Sequence, residues 1–310
     1  MAVSASEFWT YTVNGLVSGS IYAVVALGYT LVYGVLQLIN FAHSEVFMLG
    51  SFGGLFAARA LTPSASPSVA QSIGLMAFGL GCGAMAGGVA AFALERTAYR
   101  PLRRRRAPKL AYLISAIGAS LFASNLAGKE FGRQNVTLRP VFNYFHPVFS
   151  LFGVPVRALD LTIVAVGLLM LLFLDRLVAV TRLGQSIRAV AQDAETASLM
   201  GVDVERVIVL TFVIGGALAG AGGFLYAAKF NASFDMGFLP GITAFSAAVL
   251  GGIGNVRGAV LGGLLLGLVR SYSTFLIGAS YVDAVGFVVL VLVLLVRPTG
   301  LLGERLGRAA

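Results

Sequence analysis

The sequence predicts an all-α fold, a polytopic transmembrane helical bundle of about eight to nine spans with broken or re-entrant segments and one cytoplasmic helix. Of the 310 residues, 58% are hydrophobic and 11% are charged, whereas about a quarter of the residues in a soluble domain are charged. Runs of about twenty apolar residues, long enough to cross a bilayer, recur along the chain. One long polar stretch, residues 182–206, interrupts them. We therefore assign residues 1–310 to a single transmembrane domain.

The first predicted span covers residues 12–33. Only Glu7 is charged before it, and its apolar stretch is longer than the core of a signal peptide, so we expect the span to be retained. Asn14, Ser18 and Tyr22 are spaced by four residues and share one helix face. This face should point towards protein or a water path.

A polar break precedes the second predicted span, residues 41–60. We interpret Asn40 as the N-cap or break, which places His43 and Glu45 in the first turns of the helix. Two interpretations stay open. The polar groups form an interfacial cap that faces water, or they belong to a broken helix that lines a translocation path.

The third predicted span, residues 71–94, contains Gly79, Gly83 and Gly87 in a doubled GxxxG pattern. This pattern predicts close packing against another helix and indicates no chemistry.

The most basic stretch, residues 95–109, is predicted to be a cytoplasmic loop. In a soluble protein its four consecutive arginines, residues 103–106, would suggest nucleic acid as a partner or a targeting signal. Directly after a span they indicate the cytoplasmic side instead, so no nucleic acid is expected. Contact with anionic lipid is a secondary interpretation. Counting back from this loop places the N-terminus outside.

The fourth and fifth predicted spans are residues 110–127 and 159–180. Alternation places the loop between them, residues 128–158, on the outer, periplasmic side. Aromatic residues suited to the membrane interface are clustered in this loop: Phe142, Tyr144, Phe145, Phe149 and Phe152.

The polar stretch 182–206 must lie in water between two spans. Its Ala-rich centre favours a helix, and Gly201 stands where that helix would end. Such a segment is either a plain connector or a place where another protein acts on the membrane domain.

Glycines are frequent in the last part of the chain. The sixth predicted span, residues 207–228, contains Gly216 and Gly220, which predict tight packing. The next apolar stretch, residues 242–278, is too long for one span and is interrupted at the Gly-rich residues 251–258, where Gly254, Gly258 and Gly262 follow at spacings of four.

We interpret this interruption as a tight turn between two spans, with a re-entrant half-helix as the alternative. Arg270 would then lie within a span, where it either snorkels to the interface or pairs with Asp283. The last predicted span is residues 281–296, and the C-terminus is expected in the cytoplasm.

Several kinds of chemistry are excluded or unsupported. The sequence has no GxxxxGK[ST] phosphate loop, so the chain does not bind ATP in that way. Cys82 is the single cysteine, and His43 and His146 are far apart in the sequence, so neither a disulfide nor a metal site is expected. No cofactor and no catalytic residue is predicted.

The residues also resemble a known family. GLVSGSIYAVVALGYTLVYGVLQLINFAHSEVFMLGSF is similar to the start of the inner-membrane permease of bacterial branched-chain amino acid ABC transporters, the first of their two permease types. The family's Asn-Phe-Ala-His-Gly-Glu motif is matched from Asn40 to Glu45, except that Ser44 replaces the glycine. Further similar blocks are ERTAYRPLR, ISAIGAS, MGVDVERVIVLTFVIGGALAG, AFSAAVLGGIGNVRGAVLGG and RPTGLLG.

The resemblance implies partners: a second, related permease in a heterodimer, two cytoplasmic ABC ATPases, a periplasmic substrate-binding protein and the lipid bilayer. It also implies that residues 182–206 are the segment that couples to an ATPase. Glu195, Ala197 and Gly201 partly match the acid, small residue and turn glycine of the permease "EAA" pattern. Arg188 and Asp193 complete the predicted coupling set.

The substrate path is predicted to use seven polar residues: Asn14, Ser18, Tyr22, Asn40, His43, Glu45 and Asn255. For each of them the alternative is a hydrogen bond between helices. The expected function is import of branched-chain amino acids. The alternatives are an ABC permease for urea or short amides, and a self-sufficient channel or secondary transporter for small polar solutes.

Overall fold

The computed structural model describes residues 5–61, 68–137 and 147–303. His146 and the interfacial aromatics Phe142, Tyr144 and Phe145 lie outside the described residues.

The described chain is almost entirely helical. Its elements in order are α1 (Ala5–Leu36), α2 (His43–Ala60), α3 (Val69–Leu94), a π-helical turn (Glu95–Tyr99), α4 (Arg100–Arg104), α5 (Lys109–Glu130), β1 (Pro147–Leu151), β2 (Val154–Arg157), α6 (Ala158–Val180), α7 (Arg182–Gln192), α8 (Ala194–Leu199), α9 (Val204–Lys229), α10 (Phe238–Gly251), α11 (Val256–Leu276), a 3-10 turn (Ala279–Tyr281) and α12 (Val282–Val296).

The predicted fold class, an all-α polytopic bundle, is confirmed. Within the described residues, seven helical segments are long and apolar enough to cross a membrane. Two further helices, α2 and α10, are shorter or more polar and lie among them. With these two, the described chain passes from one end of the bundle to the other nine times.

At the centre of the bundle, helices α2, α3 and α9 cross with their backbones in close contact at glycine residues. A Cβ atom on Gly50 would lie 2.1 Å from the Cα of Gly220, and one on Gly87 would lie 2.3 Å from the carbonyl oxygen of Gly216. Further along α3, Gly83 lies against the carbonyl oxygens of Gly220 and Gly50, and Gly79 meets the buried ring of Phe224. Backbones this close leave no room for side chains, which is why these positions require glycine.

The two ends of the bundle differ in charge and structure. We call the end that carries α4, α7 and α8 the basic end, and the end that carries the β1–β2 hairpin the hairpin end. Helix α1 joins them. At the hairpin end the ring of Trp9 stacks on Phe152 with centroids 4.4 Å apart, and at the basic end the Gln37 amide donates to the Ala191 carbonyl oxygen at 3.4 Å.

Helices α2 and α10 both begin inside the bundle. His43, the first residue of α2, lies against Gly28 of α1, which is eight residues before the end of that helix and so about 12 Å from it. Gly237, just before α10, and Gly241 lie against the first turn of α2. From this meeting point α2 runs to the hairpin end and α10 runs to the basic end.

The start of the predicted basic loop is helical. The π-helical turn and α4 extend the third span without interruption to Arg104. The buried side chain of Glu95 explains the extension. Its Oε1 accepts a hydrogen bond at 2.8 Å from Arg103, which lies eight residues, or about two helical turns, further along the chain. Arg100 and Arg103 also bond to Glu205 of α9 at 2.8 Å and 3.3 Å, which joins α4 to the start of that helix.

The predicted outside loop contains a two-stranded antiparallel hairpin that the sequence analysis did not predict. Strands β1 and β2 pair from Leu151–Val154 outwards, and the turn between them has positive φ at Phe152 and Gly153. Strand β1 is short and fully exposed, so it has no clear alternation of polar and apolar residues.

The predicted interruption of residues 242–278 is confirmed. Helix α10 ends at Gly251 and α11 begins at Val256, with Gly252 and Gly254 at φ 109° and 97° in the turn between them. A residue with a side chain is strained at such positive φ values. Close contact of Gly251 with Gly258 then holds the two helices together at the turn.

Candidate translocation site and coupling segment

Asn40 lies in the non-helical segment between α1 and α2, where other parts of the bundle surround it. Its side chain is 3% exposed, and its Oδ1 accepts a hydrogen bond from the Tyr99 hydroxyl at 2.9 Å. Asn40 does not cap α2, because the helix begins at His43 and its N-cap is Ala42, two residues after Asn40. Asn40 instead ties the break to the π-helical turn at the basic end.

His43 fills the space between α1 and α9. It is 1% exposed, and its ring meets the edge of Tyr29 with centroids 4.6 Å apart. A Cβ on Gly28 would lie 2.4 Å from the imidazole Nε2, so glycine is needed there for the ring to fit. The Nε2 atom has no hydrogen-bond partner among the described residues.

Glu45 is the buried acid of the break. It is 4% exposed, and its Oε1 accepts from the Ser120 hydroxyl of α5 at 3.0 Å. Its Oε2 has no hydrogen-bond partner in the part of the chain that the structure describes. A carboxylate at this depth in a membrane protein is costly unless it has a partner, so the vacant oxygen is a place for a donor or a cation.

Two helix N-termini converge on this carboxylate. A Cβ on Gly237 would lie 2.6 Å from Glu45 Oε2, and one on Gly241 would lie 2.3 Å from the Ser44 Cβ. The first turns of α2 and α10 therefore touch, and the positive ends of both helix dipoles point to the same spot. The spot combines a carboxylate oxygen with two anion-attracting helix ends.

The predicted face of α1 lies elsewhere in the bundle. Asn14 is exposed, Ser18 is partly buried and Tyr22 is buried. The Arg270 guanidinium lies 5.8 Å from the centroid of the Tyr22 ring, and its Nη1 bonds to Asp283 Oδ1 at 2.7 Å. The predicted Arg270–Asp283 pair is therefore observed.

Asn255 has a structural position at the basic end. It is the N-cap of α11, where its Oδ1 accepts from the Gly258 amide at 3.0 Å. Its amide nitrogen donates to the Leu302 carbonyl oxygen at 2.9 Å, which holds the C-terminal segment against the α10–α11 turn. Both polar groups of the side chain are thus engaged, far from Glu45 along the bundle axis.

The polar stretch forms two short helices, α7 and α8, where the sequence analysis predicted one. Asp193 divides them because its Oδ1 accepts from the amides of Glu195 and Thr196 at 2.9 Å and 3.1 Å, which starts a new helix. Hydrogen bonds from the Thr196 hydroxyl and from these amides hold the pKa of the Asp193 carboxyl below its usual value.

The other members of the predicted coupling set frame this pair of helices. Arg188 donates to the Val178 carbonyl oxygen and so ties α7 to the end of α6. Ala197 is buried and Glu195 is exposed, so α8 presents its acid to solvent and its small residue to the bundle. Gly201 has φ 85° and ends the segment in the left-handed conformation that favours glycine.

Comparison with known proteins gives the family. A family described as "Branched-chain amino acid transport system / permease component" matches residues 11–294. The chain belongs to this permease family. It is 40% identical over 294 residues to the high-affinity branched-chain amino acid transport system permease protein LivH of Salmonella typhimurium, and 41% identical over 296 residues to BraD of Pseudomonas aeruginosa. Each comparison covers 94% of both chains. No solved structure matches the permease.

The structure adds residues to the permease's candidate sites that the sequence analysis missed. Leu199 and Met200, at the end of α8, are 83% and 82% exposed. The sequence signal that could have identified them is a pair of large apolar residues directly before a turn glycine, within an otherwise polar stretch. Ser120 and Gly237 were also missed, because nothing in their local sequence indicates that both lie against Glu45.

Proposed function

We propose that this chain is a transmembrane subunit of an ATP-driven importer that carries leucine, isoleucine and valine across the bacterial inner membrane. The observation that carries the proposal is the 40% identity, over 94% of both chains, to a permease named for high-affinity branched-chain amino acid transport. The subunit has no phosphate loop of its own. The energy therefore comes from partner subunits that hydrolyse ATP.

The charge at the two ends of the bundle indicates the orientation of the subunit, and the orientation indicates the side on which each partner binds. Arginines cluster at the basic end, so this end faces the cytoplasm by the positive-inside rule, together with the C-terminus. The N-terminus and the hairpin end then face the periplasm, where a substrate-binding protein delivers the amino acid. A second, related permease completes the membrane part, and two ABC ATPases bind from the cytoplasm.

Force enters through the tip of α8. Exposed Leu199 and Met200 form an apolar knob that fits a groove on an ATPase, and exposed Glu195 lies one turn before it. Gly201 fixes the direction in which the knob points. The Asp193 cap and the Arg188 contact with α6 make the segment stiff enough to transmit movement to α6 and α9.

The substrate passes the mid-membrane break. A branched-chain amino acid has an ammonium group, a carboxylate and an apolar tail. The vacant Glu45 Oε2 accepts the ammonium group, and the converging N-termini of α2 and α10 favour the carboxylate. Since α5 covers Glu45 through Ser120, this helix has to move for substrate to enter. Asn40 and His43 support the break.

Uptake of labelled leucine by cells with and without the gene tests the proposal. Loss of the gene should abolish high-affinity uptake, and the intact gene supplied on a plasmid should restore it. Unchanged uptake would refute the proposal. Excess isoleucine or valine should compete with leucine. Competition by urea or acetamide instead would assign the chain to an amide permease.

A further inference from the structure

Four arginines at the basic end of α3 form a cradle that the transport function does not use. A cavity of about 400 Å³ is lined by Arg96, Arg100, Pro101, Arg104 and Arg105. Arg96 belongs to the π-helical turn, Arg100 and Arg104 to α4, and Arg105 directly follows that helix. The extension of the third span is thus what brings these side chains to one place.

The cradle keeps most of its positive charge. Arg100 bonds through its Nε to Glu205 at 2.8 Å. The other three arginines of the cradle form no ion pair with any acid in the described residues. The Arg96 guanidinium lies 5.5 Å from the centroid of the Phe92 ring, which holds it in place without neutralising it.

An apolar groove continues the same side of α3 into the membrane. It measures about 400 Å³ and lies between α3 and α9. Its lining residues are Ala84, Met85, Gly88, Val89, Phe92, Val213 and Ala217. The groove is open at Gly88 because this residue has no side chain and faces Val213 and Ala217. A Cβ on Gly88 would meet nothing closer than 3.5 Å.

Cradle and groove are one continuous surface. Phe92 lines the groove and lies next to Arg96 of the cradle, one turn further along the helix. From Ala84 to Phe92 the groove extends over eight residues, about 12 Å, which fits within one leaflet of about 15 Å. A ligand of this surface has to be apolar inside the membrane and anionic at its edge.

We propose that this surface binds one anionic phospholipid, with its phosphate in the arginine cradle and an acyl chain in the groove. Guanidinium groups bind phosphate oxygens with paired hydrogen bonds, and basic pockets at the end of a bundle attract acidic head groups. An acidic protein segment from water would match the cradle but not the groove. The bound lipid would brace the α3–α9 contact, which begins at Glu205 and includes the crossing at Gly87.

Native mass spectrometry of the full chain, purified in detergent and supplied with equal amounts of phosphatidylglycerol and phosphatidylcholine, tests this proposal. The wild type should retain phosphatidylglycerol in preference. In the Arg96→Gln/Arg104→Gln double variant, the ratio of retained phosphatidylglycerol to phosphatidylcholine should fall by about fivefold for each arginine removed. Arg176→Gln is the matched control, because it removes an exposed arginine at the same end that does not line the cradle.

Two groove variants separate a lipid from other anions. Gly88→Leu fills the groove, and Met85→Ser/Val89→Ser removes its apolar lining without adding bulk. Both should lower phosphatidylglycerol retention at least twofold with all arginines present. Equal retention of the two lipids by the wild type, or an unchanged preference in the arginine variant, would overturn the proposal. Loss in the arginine variant alone would also overturn it, since the cradle would then bind an anion without an acyl chain.

Discussion

Glu45 is 4% exposed, with one oxygen bonded to Ser120 and one oxygen without a partner among the described residues. Such a carboxylate is costly to bury, and stability alone would favour an apolar residue of the same size. Two helix N-termini meet at the same point. These contacts support our proposal that a substrate ammonium group completes the site.

Glu45→Gln should lower leucine uptake about tenfold or more while the protein remains in the membrane. The amide retains the volume and can still accept from Ser120, but it removes the charge that attracts the ammonium group, and a hydrogen bond to a charged group contributes about 1.5–3 kcal/mol. Uptake kinetics in cells that express equal amounts of each variant measure the effect.

Glu130→Gln is the control, because it changes an exposed acid at the end of α5. Wild-type uptake by Glu45→Gln would show that the substrate does not use this carboxylate.

At the scale of the helices, glycine decides how closely α3 and α9 pack. Gly87→Ala would place its Cβ 2.3 Å from a backbone oxygen of Gly216, so the helices must separate. Overpacking of this kind costs about 1–3 kcal/mol, and the apparent melting temperature in detergent should fall by several degrees.

Gly81 lies on the same helix and supplies the comparison. A Cβ there meets nothing within 4 Å. Gly81→Ala should therefore leave the melting temperature unchanged or raise it slightly, because alanine has the higher helix propensity. Equal effects of the two substitutions would contradict the close helix crossing.

The proposed coupling segment, α7 and α8, should lose its function when its shape or charge is altered. Gly201→Pro forces φ from 85° to about −65° and redirects the Leu199–Met200 knob. Glu195→Lys reverses the exposed charge beside the knob. In both variants ATP hydrolysis should no longer be linked to leucine transport, although the protein still reaches the membrane.

Ser186→Ala changes a half-buried side chain of α7 that bonds, among the described residues, only within its own helix, to the Arg182 carbonyl oxygen, and serves as the control. ATPase activity and uptake are measured together in membrane vesicles. Normal linkage in both altered proteins would mean that α7 and α8 are only a connector.

At the scale of the whole molecule, the sequence was sufficient for the class of fold and for most spans. Apolar runs long enough to cross a bilayer leave few alternatives to membrane-spanning helices. The glycine-rich turn at residues 251–258 interrupts the apolar stretch 242–278, as predicted. Helix α4 and the hairpin were not predicted. The first depends on the buried Glu95–Arg103 pair and the second on an exposed strand, neither of which produces a local pattern.

The candidate site was predictable only in part. Asn40, His43 and Glu45 are adjacent in sequence, so their grouping was expected. That Ser120 and Gly237 join them depends on contacts between helices distant along the chain. Asn255 stood out as a polar residue in an apolar region, but its hydrogen bonds are those of a helix cap that holds the C-terminal segment.

Orientation can be tested with a single cysteine, because Cys82 is the only one in the chain. In a Cys82→Ala background, Ser150→Cys in the hairpin should react with a membrane-impermeant maleimide added to intact spheroplasts. Leu199→Cys should react only after the membrane is opened. The reverse pattern would place the basic end in the periplasm.

The most direct test of the account is ATP-dependent leucine transport in proteoliposomes. They contain the chain with its partner permease and ATPases, and the binding protein is supplied on the side that faces the hairpin end. Labelled leucine should accumulate against its gradient only when ATP is available to the ATPases, and omission of either the ATPases or this chain should abolish accumulation. Leucine movement through the chain without any ATPase would contradict the account, because the chain would then be a transporter in its own right.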